Sequence, residues 1–197
     1  MTEALALPDR SARRAALLDA ADRVVAREGL AASMASVAAE AGVSKPILYR
    51  HFGDKGGLTA ALAERHTARL WEVLRAALGT SGTPRDRVEA TVGAYLAAIE
   101  AQPQLYRFLT AREDEPEQVR GFTHGLAALL TRGIALELGV APGPREQVWA
   151  RGIVGMVQAT GDWWLGTDPR GADGLAREEL ARHLTDLLFG AYGAATR

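Results

Sequence analysis

Cysteine is absent from the 197 residues. That excludes disulfides and any thiolate metal site. Histidine is scarce, with only His51, His66, His124 and His183. None has a carboxylate three residues earlier, as an ExxH di-iron site requires. No HExxH, P-loop or G-x-S-x-G motif is present, so the chain is expected to be no enzyme and to need no metal or cofactor. No apolar run is long enough to cross a bilayer, and a membrane role is not expected. MTEALALPDR lacks a charged n-region and reads as an unstructured arm, not a signal peptide. Glu3 and Asp9 offset Arg10 there, so a large role for the arm is not expected. Charge of one sign is missing too: 23 basic residues face 24 acidic ones. This balance argues against coating nucleic acid through bulk charge, though not against a small positioned surface. Residues 1 to 58 hold eight Lys and Arg against seven Asp and Glu. No stretch alternates like a strand, and no repeat recurs.

What is present is helical periodicity. Arg13 to Glu28 buries Leu17, Ala20, Ala21, Val24 and Val25, and Gly29 stops it. A fourth helix follows Gly53-Asp54-Lys55 and runs to Gly79 on a stripe from Leu58 to Leu78. Pro84 opens a fifth with Val88, Val92, Tyr95, Leu96 and Ile99. Pro103 breaks it and starts a short sixth. Glu113-Asp114-Glu115 precedes Pro116 and suits a helix N-terminus. Helices from about Glu117 to Leu138, Arg145 to Leu165 and Leu175 to Ala191 complete the chain, the last two separated by a turn-rich loop with Pro169.

The most specific stretch is Ser33 to Phe52, SMASVAAEAGVSKPILYRHF. Ser33 can cap a helix from Met34 to Glu40. Gly42 supplies the positive φ that ends it, and Val43 plugs the corner. Ser44 is the next N-cap, with Pro46 in the first turn. Leu48 and Phe52, four apart, face inward together. Tyr49, Arg50, Lys45 and the Ser44 hydroxyl face outward. That outer face is short, polar and basic, of a size that enters a DNA major groove. The competing possibility is a plain helical hairpin.

The A-G-V-S turn, the Y-x-H-F ending and Lys55 resemble the TetR family of bacterial repressors. Leu17-Leu18, Ala20-Ala21, Val24-Val25 and Gly29 resemble its first helix, so the resemblance covers roughly residues 12 to 62. It implies an all-α fold of about nine helices. A three-helix helix-turn-helix DNA-binding domain would occupy residues 1–53, and a helical ligand-binding and dimerisation domain 54–197. By the same resemblance Tyr49, His51 and Lys55 grip phosphates, and Ser44, Lys45, Pro46 and Tyr49 lie nearest the bases. Ser33 can add a phosphate bond. The function implied is a ligand-responsive repressor in the bacterial cytoplasm. It would bind double-stranded operator DNA at a palindromic site as a homodimer, and a small, largely apolar effector would release it. The alternatives are a ligand-binding or scaffolding helical protein without DNA function, or an all-α enzyme that needs a metal or cofactor.

The effector pocket is sought among C-terminal side chains. The field includes Phe108, His124, Gln158 and Trp164, and narrows to Tyr95, Tyr106, Phe122, Leu126, Trp149, Met156, Thr160 and Trp163. Trp163 and Trp164 lie about 100° apart on a helix, so at most one lines a pocket. Gly121, Gly125, Gly152 and Gly155 each cost about 1 kcal/mol against alanine. Close helix crossing or room for a ligand can offset that. Gly152, Gly155 and Ala159 make one small-residue stripe and, with Leu180, Leu184 and Leu187, are expected at a dimer interface. Gly56 and Gly57 look like a soft joint in the connecting helix, so alanine at both is expected to raise thermal stability.

Overall fold

A computed structural model describes residues 10–111, 116–167 and 174–195. The arm at residues 1–9, the acidic run at 113–115 and most of the loop around Pro169 lie outside the described residues. Among those described, nine α-helices and one 3-10 turn form the fold, with no strand. They are α1 (Arg10–Glu28), the turn Gly29–Ala31, α2 (Met34–Glu40), α3 (Lys45–Phe52), α4 (Lys55–Leu78), α5 (Pro84–Ala101), α6 (Pro103–Thr110), α7 (Glu117–Leu138), α8 (Pro144–Gly166) and α9 (Arg177–Ala195). The all-α reading holds, and helix ends shift by a few residues at most. The chain divides into two compact units. The first is residues 1–66 with 104–119, and the second is 67–103 with 120–197.

In the first unit, α1 to α3 surround Leu17, Leu18, Val24, Val25, Val37 and Leu48, each at most 5% exposed. Leu58 and Leu62 of α4, and Leu105, Leu109 and Val119 from the later segment, join the same core. Ser33 caps α2 reciprocally: the Ser36 N–H donates to Ser33 Oγ (3.1 Å) and the Ser33 N–H donates to Ser36 Oγ (3.0 Å). Gly42, at φ +64°, makes the turn between α2 and α3, and Val43 packs on the core behind it. Glu40 draws α2 to α1 through Arg23 (2.7 Å) and Arg27 (3.1 Å). Such exposed pairs add little to stability and mostly set register. Also from α1, Asp19 pairs with Arg65, and Asp22 Oδ1 lies 2.7 Å from His66 Nε2.

Gly57 corrects the soft-joint expectation. A Cβ built on it would lie 1.9 Å from the Phe52 carbonyl oxygen. Two features create that approach. Gly53, at φ +79°, turns the chain sharply after α3, and the Gly57 N–H then donates to Asp54 Oδ1 (2.8 Å), the cap of α4. Backbone meets backbone with no room for a side chain. Alanine at Gly57 therefore strains the corner. Gly56 is different, since its Cβ would meet only the Asp54 carboxylate oxygen at 3.2 Å.

In the second unit, α5 packs most extensively on α9. Gly93 lets Ala181 come within 3.9 Å of where its Cβ would be. The inward arc of α9 is Leu180, Ala181, Leu184 and Thr185. Leu180 and Leu184, expected at a dimer interface, instead belong to this unit's own core, while Leu187 falls at the margin of the arc and is exposed. The inward side of α8 runs Glu146, Ala150, Val154, Gly161, Trp164. Trp164 is buried, and its indole N–H donates to the Leu175 carbonyl (2.8 Å).

Candidate nucleic-acid interface and apolar cavity

Two surfaces are candidates, one in each unit. The first is the outer face of α3. Leu48 (0% exposed) and Phe52 anchor its inner side, which fixes the rotation of the helix. Ser44, Lys45, Pro46, Tyr49 and Arg50 are consequently exposed. Ser44 precedes α3 in extended conformation but makes no side-chain cap bond, so its hydroxyl is not committed to the cap. Ser33 is exposed as well, although its hydroxyl already serves Ser36. Lys55 begins α4 with its Nζ 5.7 Å from the Phe108 ring centroid, a cation–π contact that aims the chain.

Arg10, Arg13 and Arg14, which no expectation included, extend this face. Arg10 and Arg13 are exposed, and the Arg14 guanidinium lies 5.3 Å from the Phe52 ring centroid. Partial burial holds the His51 imidazole below its ordinary range, and the charges of Arg50, Arg10, Arg13 and Arg14 add to that. The start of α1 thus places positive charge beside the end of α3. The run R-S-A-R-R was the available signal. It gains meaning only once α1 begins at Arg10 instead of Arg13.

The second surface is a cavity of about 80 Å³ in the second unit. Tyr95, Phe122 and Leu126 line it, as expected. Tyr106, Trp149, Met156, Thr160 and Trp163 are not among its lining residues. Tyr106 belongs to the first unit. Trp163 is 54% exposed, about 100° around α8 from the buried Trp164, and the Arg145 guanidinium stacks 4.2 Å above the Trp149 ring. The walls are completed by leucines and valines, by Ile153, and by Thr91, Thr123 and Gln158. Phe122 meets Trp71 edge-on at 5.1 Å between centroids. Gly125 makes room for Trp71, because its Cβ would lie 3.1 Å from that ring, which assigns this glycine to packing.

Gly152, Gly155 and Ala159 are exposed along one side of α8, with Val148 and Trp163 on the same side. A Cβ at Gly152 or Gly155 would meet nothing within 4 Å. Nothing among the described residues explains either glycine. Among the described residues no group of three or more His, Asp or Glu is placed to hold a metal, and no helix is long and apolar enough to cross a membrane.

Comparison with known proteins places both units. Residues 17–62 match the family described as "Bacterial regulatory proteins, tetR family", and residues 73–197 match "Tetracyclin repressor-like, C-terminal domain". The chain is 34% identical over 186 residues to an uncharacterized HTH-type transcriptional regulator of Mycobacterium tuberculosis (strain ATCC 25618 / H37Rv), spanning 91% of this chain and 76% of that protein. It is 35% identical over 169 residues to the HTH-type transcriptional activator FasR of Mycolicibacterium smegmatis, spanning 81% of this chain and 75% of that one. The crystal structure of a TetR-like transcriptional regulator from Rhodococcus sp. RHA1 superposes with a TM-score of 0.69 at 25% identity, over 95% of this chain and 99% of that one.

Proposed function

Because the chain belongs to the TetR family and is a helix-turn-helix transcription regulator, we propose that it is a homodimeric repressor. A small, largely apolar molecule in the second unit releases it from a palindromic operator. The observation that carries the DNA half is the exposed Ser44–Lys45–Tyr49–Arg50 face on a helix locked by Leu48 and Phe52. In this reading Tyr49, His51, Lys55 and Ser33 contact phosphates, joined by Arg10, Arg13 and Arg14. Ser44, Lys45, Pro46 and Tyr49 reach base edges. The functional division falls near residue 53, the protein acts in the cytoplasm, and it works by binding without catalysis. One recognition helix reads few base pairs, so a second copy doubles the contacts and matches a two-fold operator. The exposed Gly152–Gly155–Ala159 stripe, with Leu187, supports that second copy. Footprinting on the region upstream of its own gene tests the reading, with a protected two-fold site as the expected result. In a reporter strain, deletion is expected to raise transcription from that promoter, whereas a fall would make the protein an activator, as FasR is named.

Phosphate and base contacts differ in salt dependence. Lys55→Ala is expected to weaken operator and random DNA alike and to shallow the log K against log salt slope by about 0.9 per half-site. Tyr49→Phe is expected to weaken both DNAs by less. Lys45→Ala is expected to cost specificity, with operator affinity falling about tenfold more than random-DNA affinity. Equal losses on the two DNAs would remove Lys45 from base reading.

His51 links DNA binding to pH. Its free-state value is lowered, so at neutral pH the ring is largely uncharged. A docked phosphate favours the imidazolium and offsets the neighbouring arginines, so the bound-state value is the higher of the two. Affinity then gains as pH falls between them. The gain is absent above the bound-state value and complete below the free-state value. Titrations between about pH 8 and pH 6 are expected to show affinity rising by at most about one log unit per pH unit for each protomer. His51→Gln is expected to flatten the profile, and an unflattened one would assign the proton elsewhere.

A further inference from the structure

The cavity of the second unit carries no charged side chain on its walls. Its polar side chains are Thr91, Tyr95, Thr123 and Gln158. The Thr91 hydroxyl is committed, donating to the Arg87 carbonyl at 2.7 Å. Gln158 of α8 faces Thr123 of α7, with Nε2 3.5 Å from Oγ1. That distance is at the outer limit of a hydrogen bond. A ligand hydroxyl placed between the two groups can accept from the Gln158 amide and donate to the Thr123 oxygen, two shorter bonds in place of one long one.

We propose that this cavity takes an uncharged molecule with an apolar body and a single hydrogen-bonding head, and that Gln158 and Thr123 select the head. The proposal rests on the reading of the second unit as the effector-binding part and names the chemistry of its ligand. A carboxylate or an ammonium would enter walls that offer no counter-charge, and burying an unpaired ion is heavily penalised. A hydroxyl, ketone or amide suffers no such penalty. The Gln158 amide offers both donors and an acceptor, so it satisfies a hydroxyl in either role. Size narrows the class further. About 80 Å³ is well below the several hundred Å³ usual for a ligand pocket. A larger body enters only as leucine side chains such as Leu78, Leu126 and Leu188 change rotamer, which suits a slim chain better than a rigid fused ring. Phe122 joins the wall to Trp71, so filling the cavity perturbs the indole.

Three probes with one chain and different heads test this: hexan-1-ol, hexanoate and hexylammonium, at about pH 8 where the last two are ionised. Tryptophan emission and thermal shift are read together. The alcohol is expected to saturate at a concentration at least about tenfold below either ion. Trp71→Phe is expected to lose the emission change and keep the thermal shift. Gln158→Met, close in shape, is expected to cut the alcohol's advantage by about tenfold, and Thr123→Val does the same from the facing helix should the first variant unfold. Equal binding of an ion, no saturable response to any probe, an emission change that survives Trp71→Phe, or an unaltered preference in both variants would overturn the proposal. Footprinting without probe on the same preparation separates the two levels. A protected operator beside failed probe selectivity overturns the cavity chemistry alone, whereas no protection overturns the proposed repressor of that operator.

Discussion

Gly57→Ala is expected to destabilise the first unit by about 3 kcal/mol, the upper range for overpacking a close contact. In a chain of this size that is roughly 6–12 °C in thermal midpoint. The new methyl would sit 1.9 Å from the Phe52 carbonyl oxygen, and backbone on both sides must move to admit it. Phe52 is the last residue of α3, so the movement displaces the proposed recognition helix relative to the start of α4 within the first unit. Operator affinity is therefore expected to fall by more than tenfold, even where the protein stays folded. Gly56→Ala is the control, because its methyl meets only a carboxylate oxygen at 3.2 Å and a side chain can swing away. It is expected to be near neutral. Differential scanning calorimetry and operator titration on the two single variants check both effects. A Gly57→Ala protein as stable as the parent would show that this corner does not hold the helix.

Gly155→Leu is expected to give a monomer that keeps its helical content and thermal transition, with operator affinity lowered about 100-fold or more. The expectation follows from the open space around the missing Cβ. Among the described residues a Cβ there meets nothing within 4 Å, and leucine even removes the helix penalty of glycine. Any harm must come from a second copy that needs the smooth surface of Gly152, Gly155 and Ala159. Sedimentation combined with circular dichroism separates the two cases. A folded dimer with normal operator affinity would move the seam off this side of α8.

The exposed face of α3 was legible because one spacing decides it. Leu48 and Phe52, four apart, can only face inward together, and Lys45, Tyr49 and Arg50 then face out. Gly57 was not legible, because its partner is a backbone atom, the Phe52 carbonyl, and backbone atoms leave no mark in a residue pattern. The cavity was half legible. Tyr95, Phe122 and Leu126 lie on inward arcs. Trp149, Met156, Thr160 and Trp163 were chosen for residue type, but the rotation of α8 is set by Ala150, Val154, Gly161 and Trp164. The leucines of α9 misled for a related reason. Leu180, Leu184 and Leu187 share a heptad face, and the chain's own α5 claims the first two.

The first unit closes its core with Leu105, Leu109 and Val119, residues some forty or more positions beyond His66 in the chain. The reading head of this regulator is therefore not a cassette that can be cut at one point. A chimera that grafts residues 1–66 onto a foreign effector module inherits a core missing three of its wall residues, and the host supplies others cut to a different shape. A graft that carries residues 104–119 along with 1–66 keeps the wall intact. Engineers who want new sensor–operator pairings from this scaffold face three crossovers, after residues 66, 103 and 119, not the first of them alone.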